Sequence, residues 1–168
     1  VLDCSLVSDG GAAVVITRKD RAKDGPHKPV TLLGYGEGHA YEHISQAKDL
    51  TTSAAVQSGR AAYAEAGLTP DDIDLLQLYD CFTPALLMQI EDLGFCGKGE
   101  GGAWLASGIS RPGGSKPMNT HGGMLSYCHP GNPGAMFGLT EAITQMRGDA
   151  GERLSLIHIS EPTRLGFI

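Results

Sequence analysis

The stretch NTHGGMLSYCHPGNPGAMFG, residues 119–138, places five glycines around the run Cys128, His129 and Pro130. Glycine costs backbone conformational entropy and adds nothing to a core, so this density of glycine requires a reason. Two interpretations fit: a plain surface loop, or a frame that lets the backbone approach a ligand while one imidazole faces it. Pro130 restricts the backbone of His129 to an extended conformation.

The bulk composition indicates a globular α/β protein. The chain has 168 residues, of which 41% are hydrophobic and 24 are glycine, and this is enough for one domain with its own core. The formal net charge of −6 provides no basic surface for nucleic acid. No apolar segment is long enough to span a bilayer and no signal peptide is visible. We therefore expect neither a nucleic-acid partner nor a membrane span.

The metal- and phosphate-binding patterns in the chain are weak. Four cysteines lie far apart without CxxC spacing, which argues against a zinc knuckle or a disulfide scaffold and favours reduced thiols in a cytoplasmic protein. HAYEH (residues 39–43) matches H-x-x-E-H, but no amphipathic helix surrounds it, so we interpret it as a coincidence and expect no metal. GYGEGH (residues 34–39) lacks the third glycine of a dinucleotide-binding loop.

Strand and helix signals alternate along the chain, which predicts a layered α/β fold. Strands are predicted at GAAVVIT, VTLLGYG and DLLQLYD, residues 11–17, 30–36 and 74–80. Helices are predicted over residues 52–66, from Thr83 to near Gly94, and from after Pro133 to near Gly148. Thr83 is expected to cap its helix, with Pro84 at the first helical position.

Two short motifs carry candidate chemistry, LYDCF (residues 78–82) and SYCHPG (residues 126–131). The predicted strand delivers Tyr79 and Cys81 to its end, where α/β folds usually place ligands. A histidine brought up to a cysteine can lower the pKa of the thiol or accept its proton, as nucleophilic acyl transfer requires. The residues alone also allow a structural interpretation, with a buried tyrosine and a loop histidine.

Five collinear segments resemble the C-terminal half of a thiolase of the sterol-carrier-protein (lipid-transfer) branch. They are SDGGAAVV, AEAGLTPDDIDLLQLYDCF, LGFCGKGEGG, NTHGGMLSYCHPG and EAITQMRGDAGER, and the resemblance covers residues 1–153. It implies one half of the layered αβαβα thiolase fold, a mixed sheet with helices on both faces. It also implies an acetyl-CoA acetyltransferase-like enzyme that acts on acyl-CoA thioesters and needs no further cofactor.

The resemblance assigns three catalytic residues. His129 falls on the histidine of the family's G-H-P motif, which activates the nucleophilic cysteine and helps to bind the thioester oxyanion. Cys81 falls on the cysteine of H-D-C-F, the second acid/base. Tyr79 replaces the histidine of H-D-C-F; a phenol can donate to an oxyanion but is a poor base near neutral pH.

Four further residues are implied to shape the substrate pocket. Asn119, Gly122 and Gly123 fall on the family's N-x-x-G-G loop. Cys128 replaces the glycine of G-H-P and adds a thiol beside the histidine.

The resemblance leaves three functions open. The first is an acyl-CoA acyltransferase, inactive as this chain alone because the nucleophilic cysteine belongs to an N-terminal half. The second is a thiolase-like retro-aldolase working with an OB-fold partner, which Tyr79 favours and the retained His129 opposes. The third is a non-catalytic thiolase-like subunit. Full-length relatives are dimers or tetramers, so a homo-oligomer is expected.

The C-terminal tail differs in character from the rest of the chain. LSLIHISEPTR (residues 154–164) has no periodicity that continues the preceding helix, and it resembles the translation of a common transposase sequencing adapter. We interpret residues 154–168 as non-native and residues 1–153 as a thiolase C-terminal domain that is incomplete at its C-terminus. His158 is therefore not a candidate catalytic residue.

Overall fold

The computed structural model describes residues 3–155, so the interpretation of the tail lies, from Leu156 onward, outside the described residues. Secondary structure in this range is mainly helical: α1 (Lys19–Ala22), α2 (Ala55–Ala66), α3 (Thr83–Asp92), α4 (Gly101–Ala106), α5 (Gly123–Ser126) and α6 (Gly134–Arg147). Short 3-10 helices lie at Ile44–Gln46, Pro70–Asp72 and Gly151–Arg153. None of the helices in the described part is long and apolar enough to cross a membrane.

The three predicted helices are confirmed, with differences at two starts. α2 begins at Ala55 rather than at residue 52. α2 and α6 both end at a glycine in the left-handed region, Gly67 (φ 66°) and Gly148 (φ 81°), as expected for a C-cap. α3 begins at Thr83, but the capping position is Phe82. The Thr83 hydroxyl instead donates to Asp3 Oδ1 at 3.2 Å, because residues 3–5 pair with residues 81–83 across this helix start.

The predicted mixed sheet is not seen among residues 3–155. Extended backbone pairs there only in isolated bridges, including Cys4 with Phe82, Val7 with His129 and Leu76 with Met118. The predicted strand at residues 11–17 forms no ladder, and Val15 and Ile16 in it are 96% and 87% exposed. β-branched residues favour extended backbone, but a ladder also needs a neighbouring strand to exchange hydrogen bonds. The described part of the chain brings no such neighbour to this segment.

Alternate glycines in residues 34–38 allow this extended segment to lie directly on α2. A Cβ at Gly34 would lie 2.4 Å from the carbonyl oxygen of Ala62, one at Gly36 would lie 1.9 Å from that of Ser58, and one at Gly38 would lie 2.6 Å from that of Ala54. Two residues of strand advance about 6.6 Å and four residues of helix about 6 Å, so the two repeats match along the contact. These glycines therefore serve helix packing.

The helices form two packed groups, and each group contains buried apolar residues. α3 packs against α2 and α4, and α5 packs against α6. Ile90 of α3 is fully buried, and Ala62, Leu86 and Leu93 in the same group are also buried. In the second group Ala142 and Met146 of α6 form a buried cluster.

A buried carboxylate fastens the start of α2 to the end of α3. The Asp92 side chain is fully buried and accepts hydrogen bonds from Thr52 Oγ1 (3.0 Å), the Ser53 backbone N–H and hydroxyl (both 2.7 Å) and the Lys98 ammonium. Burial raises the pKa of Asp92, but the hydrogen bonds from Lys98, Ser53 and Thr52 outweigh it, so the pKa lies below the ordinary 3.8.

The glycine contact predicts that Gly36→Ala destabilises the protein and Gly102→Ala does not. The added methyl of Gly36→Ala meets helix backbone, which cannot move aside, so we expect a loss of about 2 kcal/mol or more in the free energy of unfolding. The added methyl of Gly102→Ala, in α4, has no heavy atom within 4 Å. Alanine also has a higher helix propensity than glycine. Urea unfolding of both variants measures the difference, and equal midpoints would contradict the close contact.

The Asp92 cluster predicts a component of stability that is lost in acid. Because the folded pKa is below the unfolded one, the contribution is complete above about pH 5 and disappears as the pH falls through the folded pKa. We expect Asp92→Asn to lower the free energy of unfolding at pH 7 by about 2 kcal/mol and to reduce its decline between about pH 6 and about pH 3. Asp24→Asn, at an exposed position, is the control. Unchanged pH dependence in Asp92→Asn would refute the assignment.

Candidate active site

The phenol of Tyr79 and the imidazole of His129 form a hydrogen-bonded pair. Tyr79 Oη lies 2.6 Å from His129 Nε2, and the rings meet edge to face with centroids 5.5 Å apart. The other ring nitrogen, Nδ1, lies 2.7 Å from Ser5 Oγ. The structure thus brings together two of the three residues predicted to be catalytic, and both nitrogens of the imidazole are in contact with hydroxyl groups.

The side chain of Asn119 holds the segment that ends in Tyr79. Its Oδ1 accepts the Leu78 backbone N–H at 2.8 Å and its Nδ2 donates to the Leu78 carbonyl at 3.0 Å. These two bonds follow the bridge between Leu76 and Met118. The side-chain amide of Asn119 thus pairs with Leu78 as the backbone of a further strand residue would. Asn119 has a φ of 47°, in the left-handed region that asparagine tolerates. Both polar groups of the Asn119 side chain therefore bind the Leu78 backbone, and the predicted contact of Asn119 with substrate stays a prediction.

The paired glycines Gly122 and Gly123 bring backbone onto a buried carboxylate. A Cβ at Gly123 would lie 2.1 Å from Asp80 Oδ2, and the φ values of 108° and 63° favour glycine at both positions. Asp80 is 4% exposed and accepts the Met124 backbone N–H at 2.7 Å. Within the described residues, the two glycines thus serve a turn around Asp80, and their contact with substrate stays a prediction.

Three contacts fix His129. Its backbone forms a parallel bridge with Val7, and its N–H donates to Ser8 Oγ at 2.8 Å. On the ring's other side a Cβ at Gly134, the first residue of α6, would lie 2.7 Å from His129 Cδ2. The sequence analysis missed the roles of Ser5 and Ser8. Ser8 opens the SDGGAAVV segment, but no spacing connects either serine to a histidine more than 120 residues away.

The phenol of Tyr79 and the thiol of Cys81 both have raised pKa values. Burial raises the pKa of Tyr79, and the nearby Cys81 and Asp80 raise it further. Burial also raises the pKa of the Cys81 thiol, against the lowering effect of the Phe82 and Cys81 backbone N–H groups. At neutral pH the pair therefore holds a phenol, and Cys81 is a thiol rather than a thiolate.

The predicted roles of the two cysteines are not accompanied by contacts to the pair. Across residues 3–155, no hydrogen bond joins the thiol of Cys81 to Tyr79 or His129. Cys128 is half-buried and free. Both assignments stay predictions.

A polar pocket of about 220 Å³ is formed by residues other than Tyr79 and His129. It is lined by His121, Tyr127, Phe137, Thr140, Glu141, Thr144 and Arg153. Glu141 accepts a hydrogen bond from Arg153 at 3.1 Å, so the charges in the pocket cancel. Burial lowers the pKa of His121, which favours a neutral ring.

In the described part of the chain, no cluster of three or more His, Cys, Asp or Glu side chains is placed to hold a metal.

The contact of α6 with the imidazole predicts opposite effects of two alanine substitutions. Gly134→Ala drives a methyl into the His129 ring, which hydrogen bonds hold at both nitrogens, so we expect a loss of about 1–3 kcal/mol in unfolding free energy. Gly138→Ala, one turn later, meets the Gln77 Cβ at an ordinary 3.4 Å and should be neutral or stabilising. Thermal unfolding measures both effects, and a stabilised Gly134→Ala would contradict the ring position.

Comparison with known proteins agrees with the resemblance seen in the sequence. Residues 36–157 match the family described as "Thiolase C-terminal domain-like". A steroid side-chain-cleaving aldolase of Thermomonospora curvata is 39% identical over 155 residues, covering 88% of this chain and 38% of that protein. An acetyl-CoA acetyltransferase of Methanothermobacter thermautotrophicus is 37% identical over 154 residues, covering 91% of this chain and 40% of that protein.

A solved structure described as an Ltp2-ChsH2(DUF35) aldolase superposes with a TM-score of 0.72 at 38% identity, covering 78% of this chain and 35% of that one. The chain spans about two fifths of the length of the curated relatives named above. The match over residues 36–157 and the shared fold lead to one conclusion: this chain belongs to the thiolase family, in its C-terminal-domain-like part.

Proposed function

We propose that this chain is the C-terminal half of an enzyme that breaks a carbon–carbon bond next to a coenzyme A thioester, by a retro-aldol reaction. The observation that carries the proposal is the hydrogen bond of 2.6 Å between Tyr79 Oη and His129 Nε2. It places a phenol, the group that would meet the substrate hydroxyl, directly against a base that can take its proton.

In the proposed reaction the substrate is a β-hydroxyacyl-CoA. Tyr79 accepts the proton of the substrate hydroxyl as its own phenol proton passes to His129 Nε2. The Cα–Cβ bond breaks, the β-carbon becomes a ketone or aldehyde, and the bond's electron pair moves to the thioester as an enolate. The proton then returns from His129 through Tyr79 to Cα, which releases an acyl-CoA. No metal or further cofactor is needed for this balance.

The relay is required because the phenol is a weak base by itself. Burial and the charge of Asp80 raise the pKa of Tyr79, so a free phenolate is scarce at neutral pH. Concerted transfer to His129 avoids the phenolate, since the imidazole accepts the proton as the substrate proton arrives. The steroid side-chain-cleaving relative and the structural match to an aldolase also support retro-aldol cleavage.

Acyl transfer is the second candidate, favoured by the presence of a histidine in the CHP motif and by the acetyl-CoA acetyltransferase relative. In that reaction His129 would activate a cysteine of the N-terminal half, and Cys81 would be the second acid/base. His129 Nε2 would then have to leave Tyr79 to reach the thiol. The present contact therefore supports acyl transfer less well than retro-aldol cleavage.

We also propose that a longer protein covers part of the exposed surface of this chain. The apolar side chains of Val7, Val15 and Ile16 are almost completely exposed, and the backbone at Val15 and Ile16 is in no β-ladder. Such a surface suits a face that is covered by another segment. The proposed occupant is the N-terminal half. A partner protein is proposed because the similar aldolase structure is described as Ltp2-ChsH2(DUF35). The family resemblance implies that this partner has an OB-fold, and it also implies self-association.

The longer protein is tested by sequencing the source DNA past the codons of Val1 and Arg153. We expect an upstream thiolase half and a continuation of the domain in place of the adapter-like tail. Native codons for LSLIHISEPTR would overturn the assignment of the tail. An upstream half without a nucleophilic cysteine would exclude acyl transfer and leave retro-aldol cleavage or a non-catalytic subunit.

The reaction is tested with the full-length protein and its partner. Retro-aldol cleavage releases a carbonyl compound and an acyl-CoA from a β-hydroxyacyl-CoA without added coenzyme A, whereas thiolysis of a β-ketoacyl-CoA requires it. We expect cleavage without coenzyme A, and Tyr79→Phe to lower kcat roughly 10²- to 10⁴-fold through loss of the relay.

Tyr35→Phe is the matched control, because it removes the hydroxyl of an exposed tyrosine outside the site. Turnover only with added coenzyme A would replace the first candidate by the second. Binding of acyl-CoA with no turnover in either assay would favour the non-catalytic subunit.

A further inference from the structure

We propose that Ser5 is a positioning residue that keeps His129 in the tautomer with hydrogen on Nδ1, leaving Nε2 free to accept the proton of Tyr79. This inference rests on the proposed function for its catalytic meaning. Its structural content, the location of one hydrogen on the ring, can be tested independently of any reaction.

Ser5 is fixed in place by the backbone on both sides of it. Its N–H donates to the Cys81 carbonyl at 2.9 Å, and the N–H of Leu6 donates to the Met124 carbonyl at 3.2 Å. The chain at Ser5 is therefore attached both to the segment that carries Tyr79 and to the glycine frame of His129. With the main chain held in this way, Oγ lies 2.7 Å from Nδ1, a normal length for a hydrogen bond.

The imidazole between two hydroxyls allows two arrangements of hydrogen. In one, Ser5 donates to Nδ1 and Nε2–H donates to the Tyr79 oxygen. In the other, Tyr79 donates to Nε2 and Nδ1–H donates to the Ser5 oxygen. A phenol is a far stronger hydrogen-bond donor than an alkyl hydroxyl, and its oxygen is the weaker acceptor. In the second arrangement the phenol donates and the serine hydroxyl accepts, which uses the stronger donor and the stronger acceptor.

This tautomer has a direct consequence for proton transfer. Only an unprotonated Nε2 can accept the Tyr79 proton, and acceptance makes the ring an imidazolium. Its Nδ1–H then forms a charge-assisted hydrogen bond to Ser5 Oγ, and such bonds are stronger than neutral ones. Ser5 thus stabilises the charged state of the base without touching substrate.

The other serine at this site provides a matched comparison. Ser8 Oγ accepts the backbone N–H of His129 at 2.8 Å, so it fixes the main chain and not the ring. Ser5→Ala and Ser8→Ala each remove one hydroxyl that is bonded to the same histidine. Loss of stability is expected from both, but a change in the ring nitrogens is expected from Ser5→Ala alone.

The test is ¹⁵N NMR of the histidine ring nitrogens in the chain as it stands, near neutral pH, since protonated and unprotonated ring nitrogens resonate far apart. For wild type we expect Nδ1 protonated and Nε2 unprotonated. For Ser5→Ala the ratio of the two tautomers should move towards Nε2–H. The variant loses a hydrogen bond to Nδ1 in each tautomer, so the change reflects the difference between the two bonds and is at most roughly tenfold, the value of one ordinary hydrogen bond. Ser5→Thr keeps a hydroxyl and should restore the wild-type pattern.

Hydrogen on Nε2 in wild type would overturn the proposal, as would a Ser5→Ala ring indistinguishable from wild type. Equal ring changes in Ser5→Ala and Ser8→Ala would also overturn it, because they would indicate a general loosening of the site. The spectra need no substrate and no turnover. Failure here therefore does not count against retro-aldol cleavage, and an inactive enzyme would leave the ring assignment intact.

Discussion

The buried carboxylate of Asp80 joins the two halves of the site. It follows Tyr79 in sequence, and it accepts the N–H of Met124 in the glycine frame that leads to His129. Gly123 makes the approach possible, since any side chain there would overlap the carboxylate. A hydrogen bond to a charged group is worth about 1.5–3 kcal/mol, and here it also sets the distance across which the phenol meets the imidazole. Asn119 reinforces the same junction two residues before Asp80, at Leu78.

Local signals were sufficient to predict the helices and the pair of residues that forms the site. Helical spacing with glycine at the C-cap located α2 and α6, because both features act within a few residues of each other. Tyr79 and His129 were identified through motif resemblance, since each stands beside recognisable neighbours. What could not be predicted depends on distant parts of the chain: Ser5 against the imidazole and Asp80 against Met124. The predicted sheet is not confirmed for residues 3–155. β-branched composition indicates extended backbone, whereas pairing needs a partner strand that composition cannot supply.

The electrostatics of the site favour movement of protons over attack by an anion. Tyr79 and Cys81 both have pKa values raised by burial, so neither side chain carries charge in the resting state near neutral pH. The carboxylate of Asp80 nearby makes their ionisation harder still. A hydrogen-bonded chain through Ser5, His129 and Tyr79 can shift hydrogen between oxygen and nitrogen with little movement of heavy atoms. This is the property expected of a relay in a half-buried site.

The matched repeats of the glycine segment and α2 have a consequence for how this part of the chain can vary in length. Substitutions at positions 35 and 37 project away from the helix and are free to accumulate, because only the even positions from Gly34 to Gly38 face its carbonyls. A one-residue insertion or deletion would instead present Tyr35 or Glu37 to the backbone of α2, where no side chain fits. Length changes in the segment should therefore come in pairs of residues, or together with a full turn of the helix. The contact thus constrains the length of residues 34–38.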